Sequence, residues 1–174
     1  MNFKTYFFVL LLLSLPLAAQ GNIKCIDGDC VNGNGITVDD AGIRYEGSFQ
    51  NGQKNGKGTQ IEPNGNIYKG DWKNNLPNGK GTYTLRSGET RKYTGSFKDG
   101  YYNGVGTLQY ANGDKYIGEF KNDKRSGYGT FISKAERKIY IGKWKSDKQN
   151  GKGIYYAYTS TEKVKFNKGS LVLR

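Results

Sequence analysis

The side chains that most often do chemistry are scarce in this chain. Histidine is absent from all 174 residues, which removes the usual general base, the commonest metal ligand and the side chain that titrates near neutral pH. The two cysteines, Cys25 and Cys30, are too few to build a Cys/His zinc site. Carboxylates are scattered, none recurs where two acids would share a cleft, and Asp39-Asp40 reads as a solvated turn. The expectation is a non-enzymatic protein with no metal and no cofactor. Two residue classes are abundant instead. There are 21 lysines against 6 arginines, with a formal charge of +12, and 14 Tyr, 8 Phe and 2 Trp. A lysine surface attracts phosphate-bearing partners, and rings with a polar tip suit half-wet contact surfaces. Both are binding chemistries, and each depends on where the chain places these side chains.

The first residues look like an address. Lys4 gives a short positive start, Tyr6 to Leu15 form an apolar run, Pro16 breaks it and Ala18-Ala19 follow. This is the anatomy of a secretory signal peptide over 1–19, with cleavage near Ala19 and a mature chain from Gln20. The apolar run is short for a membrane span of about 20 residues. The chain is therefore expected to be exported: periplasmic, associated with the outer envelope, or secreted.

The positioning elements emerge from an internal repeat. Five segments follow one template of aromatic, x, Gly, x, aromatic, six residues, Gly, x, Gly. They are Tyr45-Gly47-Phe49-Gly56-Gly58, Tyr68-Gly70-Trp72-Gly79-Gly81, Tyr93-Gly95-Phe97-Gly104-Gly106, Tyr116-Gly118-Phe120-Gly127-Gly129 and Tyr140-Gly142-Trp144-Gly151-Gly153. Residues 20–44 hold a degenerate opening unit, with Gly28, Cys30, Gly33 and Gly35 in the slots. The five full units occupy 45–163, and 164–174 form a closing partial unit around Phe166 and Gly169. Slots at i, i+2 and i+4 face one way on a strand, and Asn51-Gly52, Asp99-Gly100, Asn64-Gly65, Ser87-Gly88 and Asn112-Gly113 supply turns. Each unit is expected to be a β-hairpin, and the whole an all-β antiparallel meander. Strand glycines mark close approach of another group, here aromatic rings from neighbouring units lying flat on bare backbone. Gly79-Lys80-Gly81 lacks the strand-to-helix context of a nucleotide loop.

The stretch Tyr68-Lys69-Gly70-Asp71-Trp72-Lys73-Asn74 through Gly79-Lys80-Gly81-Thr82 closely resembles the MORN (membrane occupation and recognition nexus) repeat. The resemblance runs from residue 26 to about 170. It implies an elongated, twisted and curved single-layer sheet of stacked hairpins, used as a scaffold, a dimerisation module or a membrane-contact module, often attached to an enzyme. No residues remain here for an attached catalytic domain.

Two faces then offer binding. Tyr45, Phe49, Tyr68, Trp72, Tyr93, Phe97, Tyr116, Phe120, Tyr140 and Trp144 share one face, either as the core or as an incompletely filled groove for a peptide, a glycan ring or another copy of the chain. On the other face Lys57, Lys80 and Lys152 alternate with the paired glycines, while Lys73, Lys98, Lys121 and Lys145 follow the strand aromatics; Lys54, Lys124, Arg125 and Lys148 fall in the six-residue loops. The expected function is an exported scaffold or adaptor that binds a protein partner or itself through the aromatic groove or a sheet edge. The alternative is peripheral association with anionic membrane or envelope polymers through the lysines. Nucleic acid ranks below these, since lysine outnumbers arginine and an exported chain does not normally meet it. An oxidising compartment favours a Cys25–Cys30 disulfide, which requires Ile26-Asp27-Gly28-Asp29 to bend, because an extended strand would hold the two Cα atoms about 17 Å apart.

Overall fold

The computed structural model describes residues 22–157, 160–167 and 170–172, with side chains over 22–157. The expected leader 1–19 and Gly169 lie outside the described residues, as does the side chain of Phe166.

Every regular element among the described residues is a strand. The degenerate unit supplies β1 (Ile23–Gly28) and β2 (Asn34–Asp39). The five full units supply β3 (Arg44–Gln50) and β4 (Gln53–Ile61), β5 (Ile67–Lys73) and β6 (Leu76–Thr84), β7 (Thr90–Lys98) and β8 (Tyr101–Tyr110), β9 (Lys115–Lys121) and β10 (Lys124–Ser133), and β11 (Lys138–Lys145) and β12 (Lys148–Ala157). β13 (Ser160–Asn167) and β14 (Ser170–Val172) close the array. The strands form one open sheet in strict chain order, each antiparallel to the next.

Five tight turns close the hairpins of the full units. Their central pairs, Asn51-Gly52, Asn74-Asn75, Asp99-Gly100, Asn122-Asp123 and Ser146-Asp147, all have positive φ at both positions, the geometry that matches strand twist in a two-residue hairpin. Only two of these pairs carry the Asn-Gly or Asp-Gly signature, so three were not legible as turns. Each turn also grips the unit before it. The side-chain oxygens of Asn75, Asp123 and Asp147 accept the backbone N–H of Lys54, Tyr102 and Arg125 at 2.8, 2.8 and 2.9 Å. At the equivalent position Pro77 has no N–H, and the facing turn residue is Gly100, which has no side-chain acceptor; the contact is held instead by the Gly100 N–H to the Pro77 carbonyl at 2.9 Å and by the Asn78 amide donating to Asp99 Oδ1 at 3.1 Å.

The template glycines divide into two classes. Gly28, Gly35, Gly47, Gly58, Gly70 and Gly81 pair in sequence across β1 to β6, and Gly95, Gly106, Gly118, Gly129, Gly142 and Gly153 continue the row across β7 to β12. The tyrosine of each unit lies over this row: a Cβ on Gly47 would stand 2.6 Å from the Tyr45 hydroxyl, and one on Gly81 2.5 Å from that of Tyr68. The covering ring thus belongs to the same unit as the glycines, not to a neighbouring unit as the sequence suggested. Gly56, Gly79, Gly104, Gly127 and Gly151 do different work. They have positive φ (94° at Gly56, 109° at Gly79) at the point where the ladder slips, between Gly47 and Phe49 or Gly70 and Trp72. That is a β-bulge built on glycine. The bulge leaves the carbonyl of Ser48 without a ladder partner in β4, and the Tyr45 hydroxyl donates to it at 3.0 Å. Tyr68, Tyr93, Tyr116 and Tyr140 donate likewise to the carbonyls of Asp71, Ser96, Glu119 and Lys143.

Gly95→Val should crowd the Tyr93 ring and the Gly106 backbone and lower stability by about 3 kcal/mol or more. Lys98→Ala, at an exposed strand end, should stay within about 0.5 kcal/mol. Denaturant unfolding of the two variants checks this, and equal midpoints would contradict the assignment of faces.

Candidate functional site

The ten ring positions form a continuous chain. Phe49, Tyr45, Trp72, Tyr68 and Phe97 follow one another edge to face, and Tyr93, Phe120, Tyr116, Trp144 and Tyr140 continue it, with centroids 4.9–5.4 Å apart. Such contacts are the favoured geometry of aromatic pairs. All ten rings are buried, none more than 7% exposed. The aromatic face is therefore the core. It offers no open groove, which corrects the groove reading.

The core is closed by a slot that the sequence did not reveal. The second residue of each even strand from β4 to β12 lies opposite the second ring of its unit: Lys54 opposite Phe49, Pro77 opposite Trp72, Tyr102 opposite Phe97, Arg125 opposite Phe120 and Gln149 opposite Trp144. Tyr102 stacks on Tyr93 at 3.7 Å. Arg125 lies 4.3 Å above Trp144 and pairs with Asp147 at 3.2 Å. The Lys54 ammonium sits 4.9 Å from the Tyr45 ring and 5.1 Å from that of Trp72, and donates to Gln60 Oε1 at 2.6 Å. The expected six-residue loops are thus a two-residue turn followed by strand, and Lys54 and Arg125 are lids on the core rather than loop charges. Five different residue types fill the slot, so no spacing pattern marks it. Burial brings Lys54 down to about 8, with Asp39 opposing, and pushes the Tyr45 phenol up to about 12.

The other face stays open. Across β4 to β7 it carries a trough of about 730 Å³, with Gly58, Gly70, Gly81 and Gly95 on its floor. Its walls hold Lys57, Lys69 and Lys80 with Thr59, Thr82 and Thr94. Lys57 is ion-paired to Asp71, and Lys80 Nζ donates to Ser96 Oγ at 2.8 Å. Burial works to raise the Asp71 carboxyl, but Lys57 and the Lys80 backbone N–H outweigh it and hold it below the usual carboxylate range. The lining holds three ammonium groups, and Asp71 pairs with one of them, so the trough is net cationic. The structure thus brings Lys57 and Lys80 together and adds Lys69, missed because its slot holds Glu46, Thr94, Ile117 and Ile141 in the other units. Lys73, Lys98, Lys121 and Lys145 are exposed on alternate strands β5 to β11, about 10 Å apart, as a rim along the turn side. Lys152 is exposed on β12, away from the trough.

The sequence model of the MORN repeat matches residues 45–67, 68–90, 93–115, 116–134 and 140–160, more than half of the chain. The chain belongs to the MORN repeat family. MORN repeats generally mediate binding to proteins or membranes and generally form non-catalytic scaffolds. No curated protein is matched by the chain. At the head of this MORN array Cys25 and Cys30 are disulfide-bonded, with Cα atoms 6.0 Å apart. The bend comes from a bulge between Cys25 and Asp27 and from Gly28, whose φ is +72°, both within the Ile26–Asp29 stretch that the sequence required to bend. A bulge on the first strand also blunts the sheet edge.

Because Lys54 falls from an ordinary 10.5 to about 8 on folding, the unfolded chain binds more protons between those values, and stability should rise with pH there. The melting temperature of the wild-type chain is expected to climb by about one or two degrees between pH 8 and 9; closer to pH 10 the buried tyrosines, whose phenols burial raises, work against it, because the unfolded phenols release their protons first. Lys54→Met should melt higher at pH 7 and lose that slope. An unchanged slope in the variant would place Lys54 in solvent.

Proposed function

We propose that this chain is an exported, non-catalytic scaffold that adsorbs peripherally to a phosphate-bearing envelope surface through its open cationic face. The observation that carries this reading is the division of the two faces. The rings are sealed within the core, so binding falls to the face that holds the Lys57–Lys69–Lys80 trough and the lysine rim. Lysines suit this task because flexible point charges accept phosphate in many orientations without a fixed fork. Export follows from the reading of residues 1–19 and would place the cationic face among envelope lipids and polymers rather than nucleic acid.

The test is co-sedimentation of the chain from Gln20 with phosphatidylglycerol and phosphatidylcholine vesicles, with soluble lipopolysaccharide as a competing phosphate source. Binding to the anionic vesicles is expected at roughly 50 mM salt and should fall away by roughly 500 mM, as screening tightens. Replacing Lys57, Lys69 and Lys80 together by Gln should weaken it at least about tenfold. Binding that survives high salt or ignores the triple substitution would reject the reading. Competition by the lipopolysaccharide would show that phosphate, rather than the bilayer, is recognised.

A further inference from the structure

The open face changes chemistry along the array in a way that the repeat does not demand. The slot after the ring tyrosine holds Glu46, Lys69, Thr94, Ile117 and Ile141 in the five units. The slot between the paired glycines holds Lys57, Lys80, Val105, Tyr128 and Lys152. The same backbone positions are thus charged in the first two units and largely apolar in the later ones. Since Lys69 and Glu46 fold in that slot, Ile117 and Ile141 are not required for folding. They are nevertheless left in water: Val105 is 60% exposed, Ile117 43%, Tyr128 62% and Ile141 44%. Exposed large apolar side chains scattered singly need no explanation, but a contiguous patch does. Here Ile117, Thr130, Ile141 and Ile154 are successive cross-strand neighbours from β9 to β12, flanked by a second row of Ile132, Ile139 and Tyr156.

Around this patch the charge is one-sided. Lys115, Lys121, Lys143 and Lys145 surround it, with the Lys143 ammonium 5.2 Å from the Tyr128 ring. The carboxylate among them, Glu119, is already engaged, accepting the Tyr128 N–H at 2.9 Å. A second copy laid on the patch would set lysine against lysine. The isoleucines also stand between longer lysine stems, so a phosphate surface held by the ammonium groups would leave the isoleucine row unfilled. A narrow rod fits better. Neighbouring side chains in the isoleucine row are about 4.8 Å apart, close to the helical pitch of about 5.4 Å.

We infer that the outer face of β8 to β12 is a docking surface for an acidic amphipathic helix of a partner protein, its apolar stripe seated along Ile117, Thr130, Ile141 and Ile154 and its flanking carboxylates on the surrounding lysines. The surface is distinct from the Lys57–Lys69–Lys80 trough, so one face of the sheet holds two sites of different chemistry. Anchors at i, i+3, i+4 and i+7 are how an apolar surface reads an amphipathic helix, and the rim charges set which helix is accepted.

The probe is a peptide of about 16 residues, long enough to span the row, with leucine on one helical face and glutamate flanking it. It is titrated into 15N-labelled chain from Gln20 and followed by amide NMR. Saturable shifts at Ile117, Tyr128, Thr130 and Ile141 are expected. A peptide with serine for leucine should not bind, and one with lysine for glutamate should bind more weakly. Ile117→Lys combined with Ile141→Lys should weaken the Leu/Glu peptide at least about tenfold with an unchanged melting temperature, since Lys69 occupies the same slot. Tyr128→Lys, which copies Lys57 and Lys80, is the second variant should the first fail to fold. Absence of saturable shifts, shifts confined to the trough, or equal affinity of the variants would overturn the proposal. So would a dimer of the free chain that the double variant dissolves, which assigns the patch to a second copy. Vesicle binding lost in the double variant while peptide affinity is retained would also overturn it, in favour of a bilayer.

Discussion

A ring lying directly on glycine backbone is the contact from which the rest of this structure follows. Tyr45 covers Gly47 and Gly58, and each later unit repeats the arrangement, so that a row of glycines crosses twelve strands. Any Cβ in that row would collide with the ring or the facing backbone. Because the ring can lie flat, a single layer of sheet builds its own core, with no second layer upon it among the described residues, as the burial of all five template tyrosines shows. The same contact brings the tyrosine hydroxyl to the carbonyl three residues ahead, which the glycine bulge has freed from the ladder. Packing and hydrogen bonding thus depend on one another: the bulge without the ring would strand a buried carbonyl, and the ring without the bulge would lack a partner for its hydroxyl.

Stacking adds the term that makes the array continuous. No single hairpin buries its own rings. Tyr45 needs Trp72 from the next unit, and Tyr68 needs Phe97. Stability of this kind is nearly one-dimensional, set by each unit and its neighbours. The lid slot shows how much freedom such a framework leaves. Lysine, proline, tyrosine, arginine and glutamine all close the core there, each by different means. The turn contact adjusts with them, as the pairing of Pro77 with Gly100 demonstrates. The MORN template is therefore strict where backbone and ring meet and permissive elsewhere.

That permissiveness is where function has room to act. The open face carries none of the core rings, so beyond the carboxylates that bond backbone N–H groups there, Asp71 and Glu119, its residues can follow the requirements of a partner. The first full units present ammonium groups and threonine hydroxyls over a glycine floor, and the later ones present isoleucine, valine and tyrosine framed by lysine. Family membership places binding to proteins or membranes within what such arrays generally do. The chemistry of the open face, rather than the aromatic core, distinguishes what this particular array can hold.

The sequence by itself determined the repeat, the strand alternation, the ten rings and the row glycines, because these obey fixed spacing and a period of two. It also left Lys57 and Lys80 legible as cations of one face. Tertiary structure alone decided three further matters. It decided that the rings are sealed, since closure depends on the next unit's ring and on a lid slot filled by Lys54, Pro77, Tyr102, Arg125 and Gln149, residues that share no side-chain type. It separated Gly56 from Gly58, one serving a positive φ and the other a ring contact, which identical spacing cannot distinguish. And it joined Lys69 to Lys57 and Lys80, and Ile117 to Ile141, because cross-strand neighbours lie far apart in the chain and only strand register brings them within reach.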